Sequence, residues 1–138
     1  MSGTQPYERV RFFDDALVDI RAISKRSRPV AVEVLRLLKL LDQGQIAATP
    51  LRNFGKTGDL TDYGKVVVLV EGEPEHRIVV RDVADGSVEL VEVVVVEDRS
   101  RDLPYLLAGL RLDRIADPIR RADTSRDVYR IRKQLEPE

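Results

Sequence analysis

Hydrophobic and polar residues recur along this chain with two different periods. Glu8-Arg9-Val10-Arg11-Phe12-Phe13 alternates in twos, Val10 and Phe12 facing one way and Arg9 and Arg11 the other, which predicts a short first strand. From Asp14 the period lengthens. Ala16, Leu17, Ile20 and Ile23 fall at helical spacing, with Asp14 as the expected N-cap and Lys25-Arg26-Ser27-Arg28 closing the helix with cations suited to its C-terminal dipole. Pro29 opens a second helix in its first turn, with Val30, Val34, Leu37, Leu38 and Leu41 as the buried face and Gly44 at the end. Two helices this close in sequence predict a helical hairpin whose apolar faces need a sheet to cover.

Gln45 to Leu60, with Pro50, Gly55 and Gly58, reads as a long loop that is either functional or, as the plainer reading, packed through Leu51 and Phe54. Lys65 to Val70 is a continuous apolar run, which predicts a central strand buried on both faces. After the turn Glu71–Glu75, the strand His76–Arg81 is joined through Asp85-Gly86 to Val88–Val96, a strongly β-branched strand. Leu103 to Ile115 reads as a helix with Leu103, Leu106, Leu107 and Leu110 on its apolar side, and Pro104 is tolerable in its first turn. The tail Ile119–Glu138 is mostly charged: either a last helix on the body or an arm that orders on a partner. The order is strand, helix, helix, three meandering strands, helix and tail. It predicts a small α+β domain, with a twisted, mainly antiparallel sheet of about four strands packed on the N-terminal hairpin.

The candidate chemistry gathers between His76 and Tyr105. Arg77 shares a strand face with Val79 and Arg81, whereas His76, Ile78 and Val80 share the other and make His76 a structural residue. An antiparallel return through Asp85-Gly86 brings the end of the second strand beside the start of the first, and so sets Arg99 near Arg77. Tyr105, six positions on, overhangs the same spot if a helix starts near Asp102. Two guanidinium groups and a phenol arranged this way are suited to holding an anion.

Composition narrows the classes. The chain has 138 residues, enough for one domain with a hydrophobic core; 43% are hydrophobic and 34% charged, as in a globular protein with a heavily charged surface. It has no cysteine, which excludes disulfides and thiolate metal sites, and its single His argues against a histidine-based metal site. Neither a signal peptide nor a membrane-length apolar run is evident, so a cytoplasmic location is expected. The net charge of −1 is unevenly spread. Residues 1–58 carry ten Lys and Arg against six Asp and Glu, residues 59–98 three against eleven, and residues 99–138 ten against seven. An acidic sheet region argues against a strong non-specific nucleic-acid binder.

The same residues in this order resemble the RelE/ParE toxin superfamily of bacterial toxin–antitoxin systems. The landmarks are Pro50-Leu51 before a Gly-rich loop, Gly58-Asp59-Leu60 leading to Tyr63 and Lys65, and His76-Arg77-Ile78-Val79-Val80. Next come a β-branched strand closing on Arg99, Tyr105, and Arg111-Leu112 in the final helix. The resemblance runs from about Val10 to Ile115; it implies a toxin domain at 8–115 and a charged C-terminal extension at 116–138. It also implies a ribosome-dependent endoribonuclease that cuts messenger RNA with no metal or other cofactor, is neutralised by a cognate antitoxin, and has no membrane partner. In that scheme Arg77 and Arg99 would stabilise the scissile phosphate, Tyr105 would orient the substrate or transfer a proton, and Lys65 would be a further cation or the general base. Arg81, Lys56 and Arg101 would bind substrate. Thr49 stands where one branch carries a glutamate base, and Glu97 and Asp98 directly precede Arg99.

Each residue also has a plainer role. An arginine on a strand is ordinarily a cross-strand ion-pair partner, here for a residue such as Glu92; Tyr105 beside Leu106 is by default a core-edge aromatic, and Lys65 a solvated strand start. Lys25-Arg26-Ser27-Arg28 is an exposed helix end, or a contact to RNA phosphate in a ribosome-directed protein. The alternatives to a nuclease are a toxin-fold module that only binds an antitoxin or another protein, and a ParE-like inhibitor of gyrase.

Overall fold

The structure, a computed structural model, describes residues 7–51, 63–85 and 88–136. The elements run β1 (Val10–Phe12), α1 (Asp14–Arg26), α2 (Arg28–Asp42), β2 (Thr49–Pro50), β3 (Gly64–Val68), β4 (His76–Asp85), β5 (Val88–Asp98), a 3-10 turn at Ser100–Asp102, α3 (Leu103–Arg111) and α4 (Pro118–Leu135). Among the described residues the sheet has five strands in the order β1-β5-β4-β3-β2, one more than expected. Only β1 is parallel to its neighbour, because the α1–α2 hairpin returns the chain before the meander begins. The addition is β2, a two-residue strand whose close approach to β3 depends on Gly64: a Cβ there would lie 2.7 Å from the Ala48 Cβ.

Helices cover both faces of the sheet. On one, α1 and α2 press Ile23, Val30, Val34 and Leu38 onto Val66, Val68, Ile78, Val80, Val93 and Val96. On the other, α3 and α4 press Leu103, Leu107, Ala108, Val128 and Ile131 onto Val79, Val94 and Val95. Alternation along β4 sorts its side chains between these cores. The tail is therefore a helix on the body, seated by Val128 and Ile131. The buried-on-both-faces expectation for β3 is corrected: Val66 and Val68 are buried but Val67 is 38% exposed, because α3 lies over β5 and β4. The N-cap of α1 is Phe13 rather than Asp14, whereas Ser27 caps α2 by accepting from the Val30 N–H at 3.3 Å. Phe54, Gly55, Gly58 and Gly86 lie outside the described residues.

Two features of β5 position the site. Val79 pairs with Val95 but Val80 pairs with Val93, so Val94 is an extra, bulged residue. The bulge reverses the parity of the residues after it and turns Glu97 to the α3 side, opposite Arg77. Second, β1 covers only Val91–Val93 of the β5 edge. Beyond that, side chains complete the ladder: Asp19 Oδ2 accepts the Val96 N–H at 3.0 Å, and Arg111 donates to the Val94 carbonyl at 3.0 Å.

Candidate functional site

The β4–β5 hairpin brings the predicted residues together. Arg77 pairs with Glu97, and the Arg99 N–H continues the ladder onto the Glu75 carbonyl at 2.9 Å, which puts Glu75, Arg77, Glu97 and Arg99 on one face. Arg77 Nε donates to Glu75 Oε2 at 2.7 Å and its NH2 donates to the same oxygen, while NH1 donates to the Tyr105 hydroxyl at 2.8 Å. Arg99 Nε stands 3.9 Å from that oxygen. One carboxylate oxygen thus sits at the focus of two guanidinium groups, with a phenol beside them. The Arg77 side chain is 11% exposed, Glu75 34% and Arg99 47%, so Arg77 lies deepest and the other two face solvent.

Glu92 is not the partner of Arg77. It pairs with Arg81, whose NH2 donates to it at 2.7 Å, because the register sets Arg81 opposite Glu92 and Arg77 opposite Glu97. Nor does Glu97 or Asp98 quench Arg99. Asp98 Oδ1 accepts from the Ser100 N–H at 2.7 Å and from the Ser100 hydroxyl. The buried Glu97 carboxylate accepts from Arg26 at 2.7 Å and from Arg132 at 3.3 Å. With Glu97 occupied, Arg77 turns to Glu75. Glu75 was detectable in principle, since it lies two residues before Arg77 and so on the same strand face.

Lys65 lies opposite Val79 and shares a face with Val67, the partner of Arg77, so it stands diagonal to Arg77 across β3 and β4. Tyr105 is 5% exposed, a core-edge aromatic whose hydroxyl nonetheless meets Arg77. Arg81 is set apart, roughly 13 Å along the strand from Arg77. Its guanidinium lies 5.3 Å from the Tyr63 ring, which Arg114 also approaches at 5.4 Å. Arg101 is directed elsewhere: the backbone turns through positive φ at Arg101 and Asp102, and Arg101 lines a groove with Leu106 and with Arg120 and Thr124 of α4. Lys56 lies outside the described residues. His76 is buried, and its Nδ1 donates to the Pro74 carbonyl at 2.8 Å, a structural role.

Behind the site runs a buried ionic network that periodicity gave no sign of. Asp19 accepts from Arg111 at 2.6 and 2.9 Å and from Arg132 at 2.9 Å, and Arg132 also reaches Glu97, which Arg26 holds from α1. Burial pushes the Asp19 carboxyl up from the usual carboxylate value. The hydrogen bond and charge of Arg111, the Val96 N–H and the charge of Arg132 pull against that rise. These five side chains join α1, β5, α3 and α4.

The chain matches no protein-family model and no curated protein sequence. Among solved structures it is similar to a YoeB/ParE toxin from Agrobacterium tumefaciens, with 18% sequence identity and a TM-score of 0.49, over 67% of this chain and 99% of that one. No helix among the described residues is long and apolar enough to cross a membrane.

Proposed function

We propose that the chain is the toxin of a toxin–antitoxin pair and cleaves messenger RNA on the ribosome, in the cytoplasm, without a metal. The observation that supports this reading is the placement of Arg77 and Arg99 around one anionic oxygen, with the Tyr105 hydroxyl held by Arg77 beside it. The Glu75 carboxylate stands in for a phosphodiester, which would take its place between the arginines. Arg77 and Arg99 then hold the non-bridging oxygens and stabilise the charge that builds on them. The RNA 2′-hydroxyl passes its proton to Lys65 as general base and bonds to phosphorus. The bond from phosphorus to the 5′-oxygen breaks, and that oxygen takes a proton from Tyr105, leaving a cyclic phosphate and a 5′-hydroxyl.

A second reading has its own support. Glu75 already fills the anion position, as in a toxin-fold module that keeps the site closed and acts only by binding an antitoxin or another protein. Inducing the wild type and an Arg77→Ala, Arg99→Ala double variant in a bacterial host, with mapping of messenger RNA 5′ ends, separates the two. Cleavage by the wild type alone supports the nuclease. Growth arrest without cuts overturns it, and a DNA-damage response then points to gyrase.

A further inference from the structure

Glu97 faces Arg77 directly across the β4–β5 hairpin, yet Arg77 bonds to Glu75 instead. In such a cross-strand pair the Cβ atoms lie about 5 Å apart, and Arg99 follows Glu97 on the same strand face. The Glu97 side chain is 1% exposed against 34% for Glu75. Because less water screens it, a buried carboxylate attracts a cation more strongly than a half-exposed one. By position and burial alone, Glu97 would take Arg77 from Glu75. Other donors occupy it first: Oε1 accepts from Arg26 at 2.7 Å and from the Asp98 N–H at 2.9 Å, and Oε2 accepts from Arg132 Nε at 3.3 Å. Arg132 is anchored in turn, its NH2 donating to the fully buried Asp19 at 2.9 Å and its neighbour Ile131 packed in the core under α4.

We infer that Arg132 and Arg26 are positioning residues for the anion site: they hold the Glu97 carboxylate and so keep the Arg77 guanidinium available where Glu75 now stands. The inference rests on reading that place as an anion position, and it brings α4, beyond the span of the toxin resemblance, into the workings of the site. Neither arginine touches the anion; each acts through Glu97. Without Arg132, Oε2 becomes a buried carboxylate oxygen with no donor, a cost that the fold relieves by turning Arg77 inward. The guanidinium then leaves Glu75, and the site loses its deepest cation. Arg26→Ala frees Oε1 to the same effect, although the Asp98 N–H still holds that oxygen.

Two measurements on the full chain test this. One follows the Arg77 Nε–H signal in proton–nitrogen correlation spectra, assigned by its absence in Arg77→Lys. The other is fluorescence anisotropy with an oligonucleotide carrying 2′-deoxyribose at the cleavage position. Arg132→Ala is expected to shift the Arg77 signal and to weaken oligonucleotide binding about tenfold. Adding Glu97→Gln to Arg132→Ala is expected to return both to wild-type values, since a neutral amide has no charge to draw the guanidinium. If Arg132 only supported the fold, the second substitution would add to the damage. Arg26→Ala, alone and with Glu97→Gln, carries the same expectation, so a folding failure in one series leaves the other to decide. An Arg77 signal that stays in place, or a shift or affinity loss that Glu97→Gln does not reverse, would overturn the inference. Absence of oligonucleotide binding by the wild type would count against the nuclease reading, while the Arg77 signal still decides whether Glu97 competes for the guanidinium.

Discussion

Arg77 and Tyr105, 28 positions apart, meet at 2.8 Å, the guanidinium donating to the phenol while its other two donors hold Glu75. The bond joins β4 to α3 over the open end of the hairpin and fixes the orientation of the arginine. Tyr105→Phe keeps the buried ring but removes the acceptor. A loss of about 1 kcal/mol in urea unfolding is expected, together with a larger fall in RNA cleavage than in RNA binding. Equal falls in both would mean that the phenol only packs.

Glu75 competes with any anion for the two arginines. Glu75→Gln removes the competing charge and keeps the side-chain shape. Affinity for an oligonucleotide with 2′-deoxyribose at the cleavage position should rise about tenfold, or 1.4 kcal/mol. Anisotropy titrations at fixed salt measure this directly, and unchanged affinity would show that the carboxylate does not occupy the anion position.

The buried network should dominate stability. Asp19→Asn leaves Arg111 and Arg132 without their common carboxylate and should cost about 3–5 kcal/mol. Arg121→Ala, which breaks the exposed pair with Asp113, should cost at most about 1 kcal/mol. Chemical denaturation of the two variants measures the contrast, and a similar small cost for both would mean that the network is neutral to folding.

Asp42 gives the fold a pH dependence of known sign. Its burial opposes ionisation, but the N–H groups of Arg9, Glu8 and Val10, at 2.6 to 3.1 Å, and the charge of Lys39 outweigh it and hold the carboxyl below the usual carboxylate value. A folded-state value below the unfolded one adds stability above the unfolded value, near about pH 3.9. That contribution is lost as pH falls through the folded value. Asp42→Asn should therefore be less stable than wild type at pH 7, and the gap should close in acid. A gap independent of pH would assign the effect to hydrogen bonding alone.

Much of the architecture was legible in the residue pattern because it is set locally. The periods of two and 3.6 marked β1, α1, α2, β5 and α3, and the β-branched run with its Asp-Gly turn implied the pairing that brings Arg99 beside the start of β4. Arg77, Arg99 and Tyr105 could be anticipated as neighbours for that reason. The sequence by itself thus determined the elements, the hairpin and the cations that it gathers.

Tertiary structure decided which of the available carboxylates the cations of the site and of the buried network meet. Glu75 rather than Glu92 holds Arg77, because the strand register pairs Glu92 with Arg81 and because Glu97, turned inward by the bulge at Val94, is claimed by Arg26 and Arg132. Asp19 meets Arg111 and Arg132 from 92 and 113 positions away, a separation over which no periodicity carries information. Local pattern fixes which way a side chain faces; its partner depends on packing between distant segments, and the charge state of the site is set by that packing.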